Sequence, residues 1–293
     1  MLLQLLANGF VNGCLYALMA LGFALIYNTT KIFHIAHGAI YTAAAYACWL
    51  LLVQLHWPTV LAIGISLLLA ALLGALTELW VYAPLVRRNA STLVALLSSL
   101  GLYVALVNLI AMLFGNETKV LRPGIEKTYH FGSVILTRVQ LAEVATALVL
   151  LPAFVLLLQR SRWGKAIRAV RDNPTLASVL GINLRAVRLW VFAGGSALAG
   201  LAAILAALDV GVDPNVGMPA LLTAAVALIV GGVGTFEGPV LGAFLLGLLQ
   251  SLVVWKISAR WTDAITFAVL IAFLLFRPAG LAGRKRRLEE AWE

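Results

Sequence analysis

Apolar runs of about twenty residues, the length that crosses a bilayer, recur along the whole chain and are separated by short polar stretches. In hydrocarbon every backbone N–H and C=O must find its partner within the protein. A spanning segment is therefore an α-helix or a strand of a closed barrel. Barrel strands alternate apolar and polar positions, whereas these runs are continuously apolar. The fold class that follows is all-α: a polytopic integral membrane protein with eight to ten transmembrane helices, some of them broken or re-entrant. Hydrophobic residues are 62% of the 293 and charged residues only 11%, against about 25% charged in an average soluble domain. The net charge of +9 sits mostly in a few loops and the tail. That is an orientation signal, and no aromatic-rich basic platform accompanies it, so lipid rather than nucleic acid is the expected surrounding. Cys14 and Cys48 lie in apolar runs without metal-type spacing and read as small buried residues. The N-terminus lacks a basic n-region and reads as an uncleaved first span.

Polar residues inside such runs are costly and carry information. Asn8, Asn12 and Tyr16 recur every four residues and share one helix face, beside a strip of Gly9, Gly13 and Ala17 suited to close helix packing. The two asparagines should face protein or a polar cavity. His34 and His37 flank the start of the second run, with Gly38 allowing a turn or a close approach. Two ligands at this spacing, with no carboxylate or thiolate near in sequence, do not make a metal site. They read as a structural pair at a helix entry or as part of a non-helical element lining a cavity. Ser98, Gly101, Ala105 and Asn108 share a face of the fourth run that is too small and polar for lipid. Glu78 reads as the partner of Arg87 or Arg88, as a cap on polar backbone, or as a pathway carboxylate. Gly231 to Pro239, GGVGTFEGP, fits neither G-x-G-x-x-G nor a P-loop. It reads as a break between two half-length helices.

Between the fifth and sixth runs stands RSRWGKAIRAVRDNPTLASVLGIN, residues 160–183. Asn173 suits an N-cap, Pro174 the first helical position and Gly181 the residue past the end. About two turns result, with Leu176, Val179 and Leu180 on one face, and Asn183 suits the cap of the following helix. This is either a docking helix or a charged loop that only sets topology. Charge places Arg87 and Arg88, residues 160–188 and the tail inside. Nine crossings with the N-terminus outside satisfy all three and put 115–138 and 209–218 outside. Within 115–138, Pro123-Gly124 suggests a turn.

Four stretches together resemble the LivH-type permeases of branched-chain amino acid ABC transporters: residues 8–41, 164–183, 231–247 and 262–283, in family order. Two departures are Asn28, where many members have glycine, and His34, where asparagine is commoner. The resemblance makes residues 1–283 one permease domain with a cytoplasmic coupling loop at 160–188, and 284–293 a short tail on the cytoplasmic side of the cell inner membrane. It implies a second homologous permease subunit, two cytoplasmic ATPase subunits and a periplasmic substrate-binding protein. The chain has no Walker motif, so it is a transport subunit and hydrolysis belongs to partners; no cofactor is implied. The resemblance resolves the two readings of 160–183 toward docking, with Gly164, Arg168, Arg171, Asn173, Pro174, Leu176, Val179, Leu180 and Gly181 as coupling residues. The expected substrate pathway draws on Asn8, Asn12, Tyr16, His34, His37, Gly38, Ser98 and Asn108. An amino acid is the first expectation for substrate, and urea or a short amide the second. An ion-coupled secondary transporter would need midplane carboxylates or histidines, and Glu78 and Asp209 lie too near the ends of their runs for that role.

Overall fold

The structure, a computed structural model, describes residues 2–122 and 127–283. The turn at Pro123-Gly124 and the basic tail fall outside the described residues. The apolar runs become helices α1 (Leu2–Thr30), α2 (Ala36–Trp49) and α3 (Thr59–Thr77). At Glu78–Tyr82 the last of these widens into a π-helical turn before α4 (Ala83–Arg87). Pro84 explains the widening: it has no N–H to give the preceding turn, and its ring needs room there. Next come α5 (Thr92–Phe114) and a hairpin of β1 (Thr128–Phe131) with β2 (Val134–Thr137). The remaining helices are α6 (Arg138–Arg160), α7 (Arg162–Asp172), α8 (Pro174–Val179), α9 (Leu184–Val210), α10 (Gly217–Gly231), α11 (Gly238–Lys256) and α12 (Thr262–Phe276). The start of α6 is held by a capping box, with the Thr137 hydroxyl and the Gln140 amide each taking the other residue's backbone N–H at 3.1 Å. The mixed-charge loop expected at 115–138 thus contains a hairpin.

Among the described residues, eight helices are long and apolar enough to span a bilayer, counting α2 with its π-helical continuation to Gln54 and α12 with the turn that leads into it from Ala259. The ninth, α10, has 15 residues, about 22 Å at 1.5 Å per residue, short of the roughly 30 Å hydrocarbon core. It starts inside the bundle. Gly217, its first residue, packs against Gly38 in the first turn of α2, and a Cβ on Gly217 would overlap the Gly38 carbonyl oxygen. Tyr103, midway along α5, touches the same spot. Two helices therefore begin near mid-bundle, entering from opposite ends, one after α1 and the other after α9. The break expected at Gly231 to Pro239 is real, but it separates α10 from a full 19-residue α11, not two half-length helices.

At the centre lies α1, packed on α6, α9, α10 and α11. Small residues set these distances. A Cβ on Gly22 would stand 2.5 Å from the Gly195 carbonyl oxygen, and one on Gly195 would meet Gly22 oxygen at 2.7 Å. Gly9 and Gly13 meet Gly247 and Phe244 of α11 in the same way, so the small-residue strip of α1 is a packing face.

The two ends of the bundle differ. At one, Gln4 brackets Ile135 of the hairpin, donating to its carbonyl at 2.9 Å and accepting its N–H at 2.7 Å, and Lys119 pairs through backbone with Val212. At the other, Asn28 donates to the Thr235 carbonyl at 2.8 Å and accepts from Gly234 N–H at 2.9 Å. Leu281 N–H there bonds the Val230 carbonyl. From the hairpin end, the described chain makes nine traverses, counting α10, and α12 finishes at the basic end.

Glu78 pairs with neither Arg87 nor Arg88. It takes both nitrogens of an Arg188 fork, Nε at 2.5 Å and Nη2 at 2.9 Å. The carboxylate is buried, and the ion pair ties the π-helical turn to α9. The arginine 110 positions away was not legible, because helix pairing, not sequence proximity, chose it.

Two outcomes follow. Gly22→Val forces α1 off α9 and should lower stability by about 1–3 kcal/mol, the usual cost of overpacking. Gly64→Ala, whose Cβ meets nothing within 4 Å, should leave the melting temperature of the detergent-solubilised protein unchanged; equal losses for both would contradict the packing assignment. Arg188→Met strands a buried carboxylate and should cost about 3–5 kcal/mol. Glu78→Gln added to it should recover much of that loss in a double-mutant cycle.

Candidate coupling surface and membrane-buried polar sites

The basic stretch is two helices, not a loop with one. Ser161 caps α7 by accepting Gly164 N–H at 2.9 Å, and α7 turns Gly164, Ile167 and Val170 inward. The signal was present: a serine three residues before Gly164 and apolar residues at i, i+3 spacing. Gly164 sits where α7 folds back on α6, and a Cβ there would overlap the Leu158 carbonyl. After it, the Asn173 side chain accepts Leu176 N–H at 2.9 Å, Pro174 opens α8, Gly181 takes φ 82° and Asn183 caps α9. Ala177 faces inward, while Leu176, Val179 and Leu180 are 56%, 78% and 71% exposed. The result is a short capped helix with its apolar face pointing away from the bundle at the basic end.

Arg168 and Arg171, expected among the coupling residues, point back toward the bundle. Arg168 donates to the Gln159 carbonyl at 3.0 Å. Arg171 bonds Asp172, donates to the Gly234 carbonyl at 2.9 Å and lies over the Phe236 ring. They hold α7 to the core. Asn28 reaches the same glycine-rich turn from α1. The turn between α10 and α11 is therefore clasped by α1 and α7, a junction that no sequence signal announced.

The pathway candidates fall in separate places. Tyr16 donates to Gln250 at 2.7 Å and Gln250 donates to Thr266 at 2.9 Å, a chain joining α1, α11 and α12. Asn8 accepts from Gln4, and Asn12 is exposed on this chain. His34 Nδ1 lies 2.8 Å from the Tyr82 hydroxyl, and its ring meets Phe192 edge-on. His37 is fully buried with neither ring nitrogen partnered. The non-helical piece here is only residues 31–35, and both histidines are packed in the core with Gly38 beside them. On α5, Ser99 rather than Ser98 faces inward, accepting Ala36 N–H at 3.0 Å. Ser98 is half-buried, and Gly101, Ala105 and Asn108 are exposed. Asn108 donates to the Val104 carbonyl of its own helix. The sequence reading missed Glu143, fully buried on α6 with both oxygens unpartnered; it is a lone acid within an apolar run.

Comparison with known proteins matches this architecture. The family described as branched-chain amino acid transport system / permease component matches residues 5–274. The High-affinity branched-chain amino acid transport system permease protein BraD of Pseudomonas aeruginosa is 29% identical, covering 96% of each chain. The LivH protein of the same description from Salmonella typhimurium is 31% identical, again over 96% of each. Among solved structures, PsaBC from Streptococcus pneumoniae, in complex with Fab, covers 98% of this chain and 94% of its own at TM-score 0.52 and 13% identity, a likeness of fold alone. The matched segment runs from the first turn of α1 into the last turn of α12, so the chain belongs to the branched-chain amino acid transport system permease family and is a multi-pass transport subunit rather than an enzyme.

Proposed function

We propose that the chain forms half of the membrane pathway of an ABC importer for a small amino acid, with a branched-chain amino acid as first choice. The observation that carries the reading is α8: a capped helix presenting three exposed apolar side chains outside the membrane-spanning bundle. An apolar helix face in water is unfavourable and fits the groove of a partner protein. In this reading the partner is an ATPase, and Gly164, Asn173, Pro174 and Gly181 shape the element that docks. Arg168 and Arg171 fasten that element to α6 and to the α10–α11 turn, so displacement of α8 pulls on the bundle itself.

The basic end is the cytoplasmic one. It carries Arg87, Arg88, Arg160, Arg162, Lys165, Arg168, Arg171, Arg185 and Arg188 against Asp172 and Glu237, while at the hairpin end Lys119, Lys127, Arg138, Lys256 and Arg260 are balanced by Glu117, Asp209, Asp213 and Asp263. The hairpin end then faces the periplasm and the binding protein, and α12 leads to a cytoplasmic C-terminus in the inner membrane. The small polar face of α5, with Gly101 and Asn108 uncovered on this chain, is where a second homologous permease packs. An amide facing lipid is costly. The substrate passes between the two subunits there, while His34, His37 and Gly38 support α2 from behind. The family and its relatives, whose names specify branched-chain amino acids, favour that substrate over urea.

Leu176→Asp with Val179→Asp should abolish co-purification of the ATPase subunits while leaving the permease inserted and monodisperse. ATPase that stays bound and stimulated would overturn the docking assignment. An impermeant thiol reagent on intact spheroplasts should label a cysteine placed at Ser133 and spare one placed at Thr175; the reverse pattern would invert the orientation. In reconstituted complex, leucine rather than urea should stimulate ATP hydrolysis in the presence of the binding protein.

A further inference from the structure

A cavity of about 430 Å³ opens at the basic end, where the ends of α1, α4, α7 and α9 converge. Its wall brings together Lys31, Arg87, Arg171, Arg185 and Arg188 with one carboxylate, Glu78. That carboxylate is already occupied by the two-pronged Arg188 contact. Arg171 is committed to Asp172 and Gly234. Arg87 and Arg185 have no hydrogen bond or ion pair with any described residue. The side chains converging here thus carry a surplus of positive charge, which favours an anion at this point.

Arg87 of α4 and Arg185 at the start of α9 both line the cavity, and an oxyanion placed there would take donors from the two helices at once. The volume exceeds a simple halide, since it equals about a dozen water volumes at 30 Å³ each. Planar guanidinium forks match tetrahedral oxyanions in two-pronged fashion.

We propose that this cavity binds a phosphate-bearing anion, which bridges the arginines of α4 and α9 and braces α7 against them. The wall's other side is apolar, formed by Ala83, Val86 and Leu184, with Val86 half exposed. Trp80, on the preceding turn, is 74% exposed on the bundle's outer surface. A phospholipid with an anionic headgroup fits both halves: its phosphate among the arginines and its glycerol end along the apolar wall. A soluble phosphate carries the same recognition chemistry, and the test separates the two sources.

The full-length chain, purified and delipidated, would be titrated with phosphatidylglycerol, phosphatidylcholine and inorganic phosphate, read by melting temperature and by native mass spectrometry. Phosphatidylglycerol should raise the melting temperature and remain bound, phosphatidylcholine should do neither, and Arg87→Gln with Arg185→Gln should weaken the effect about tenfold, as lost charge-assisted hydrogen bonds do. Stabilisation by inorganic phosphate alone, lost in the same variant, would support the site and assign it to a soluble anion. Arg185→Gln alone, which leaves α4 untouched, should weaken binding by a smaller factor and serves if the double variant does not fold. Absence of binding by both phosphate probes, or equal binding by wild type and variants, would overturn the proposal, including the case in which only an ATPase subunit shifts the melting curve.

Discussion

The close approach of α1 to α9 and α11 is the contact from which the rest of the bundle is hung. It exists because Gly9, Gly13, Gly22, Gly195 and Gly247 bring backbone against backbone. Lipid tails are as apolar as leucine, so burial of apolar area does not drive helices together in a bilayer, and close dispersion contact has to. With α1 fixed at the centre, two chain breaks become possible. The start of α2 and the start of α10 meet at Gly38 and Gly217, where a side chain on either would separate them. Non-helical backbone at this depth is tolerated because protein surrounds it: Ile35, His37 and Gly38 N–H groups all find carbonyls locally, and Ser99 takes Ala36 N–H.

The same logic runs through the basic end. The turn between α10 and α11 has little ladder of its own, and Asn28, Arg171 and the 281–282 backbone complete its hydrogen bonds. Each comes from a different element. The ends of α1, α7, α10 and α11 are therefore joined through a few directed bonds rather than through broad packing. Arg188 and Glu78 add a link from α9 to the π-helical turn above α4. The pair α7 and α8 thus carries an exposed apolar face outward and hydrogen-bonded arginines inward.

Much of this was legible before any coordinates. Asn173, Pro174, Gly181 and Asn183 took their places at helix ends, because capping chemistry is local and reads directly from neighbouring residues. The strip Gly9, Gly13 and Ala17 proved to be a packing face for the same reason of fixed helical period. The partner of Glu78, the chain Tyr16–Gln250–Thr266 and the clasp made by Asn28 were not legible. Each joins residues from helices whose neighbour relations no local pattern encodes. The amphipathic character of α7 was readable and was obscured by its charge density.

By itself the sequence determined that this is an all-helical membrane protein with eight to ten spans, which end carries the basic charge and where a short capped helix stands outside them. These depend on hydropathy, period and capping, which act over a turn or two of chain. Only the tertiary structure decided which helix stands at the centre, where two helices begin in mid-bundle, which arginine neutralises Glu78 and which cations gather around the cavity at the basic end. Those outcomes depend on which helix faces come together, and hydrocarbon leaves that choice to the shape and polarity of distant residues.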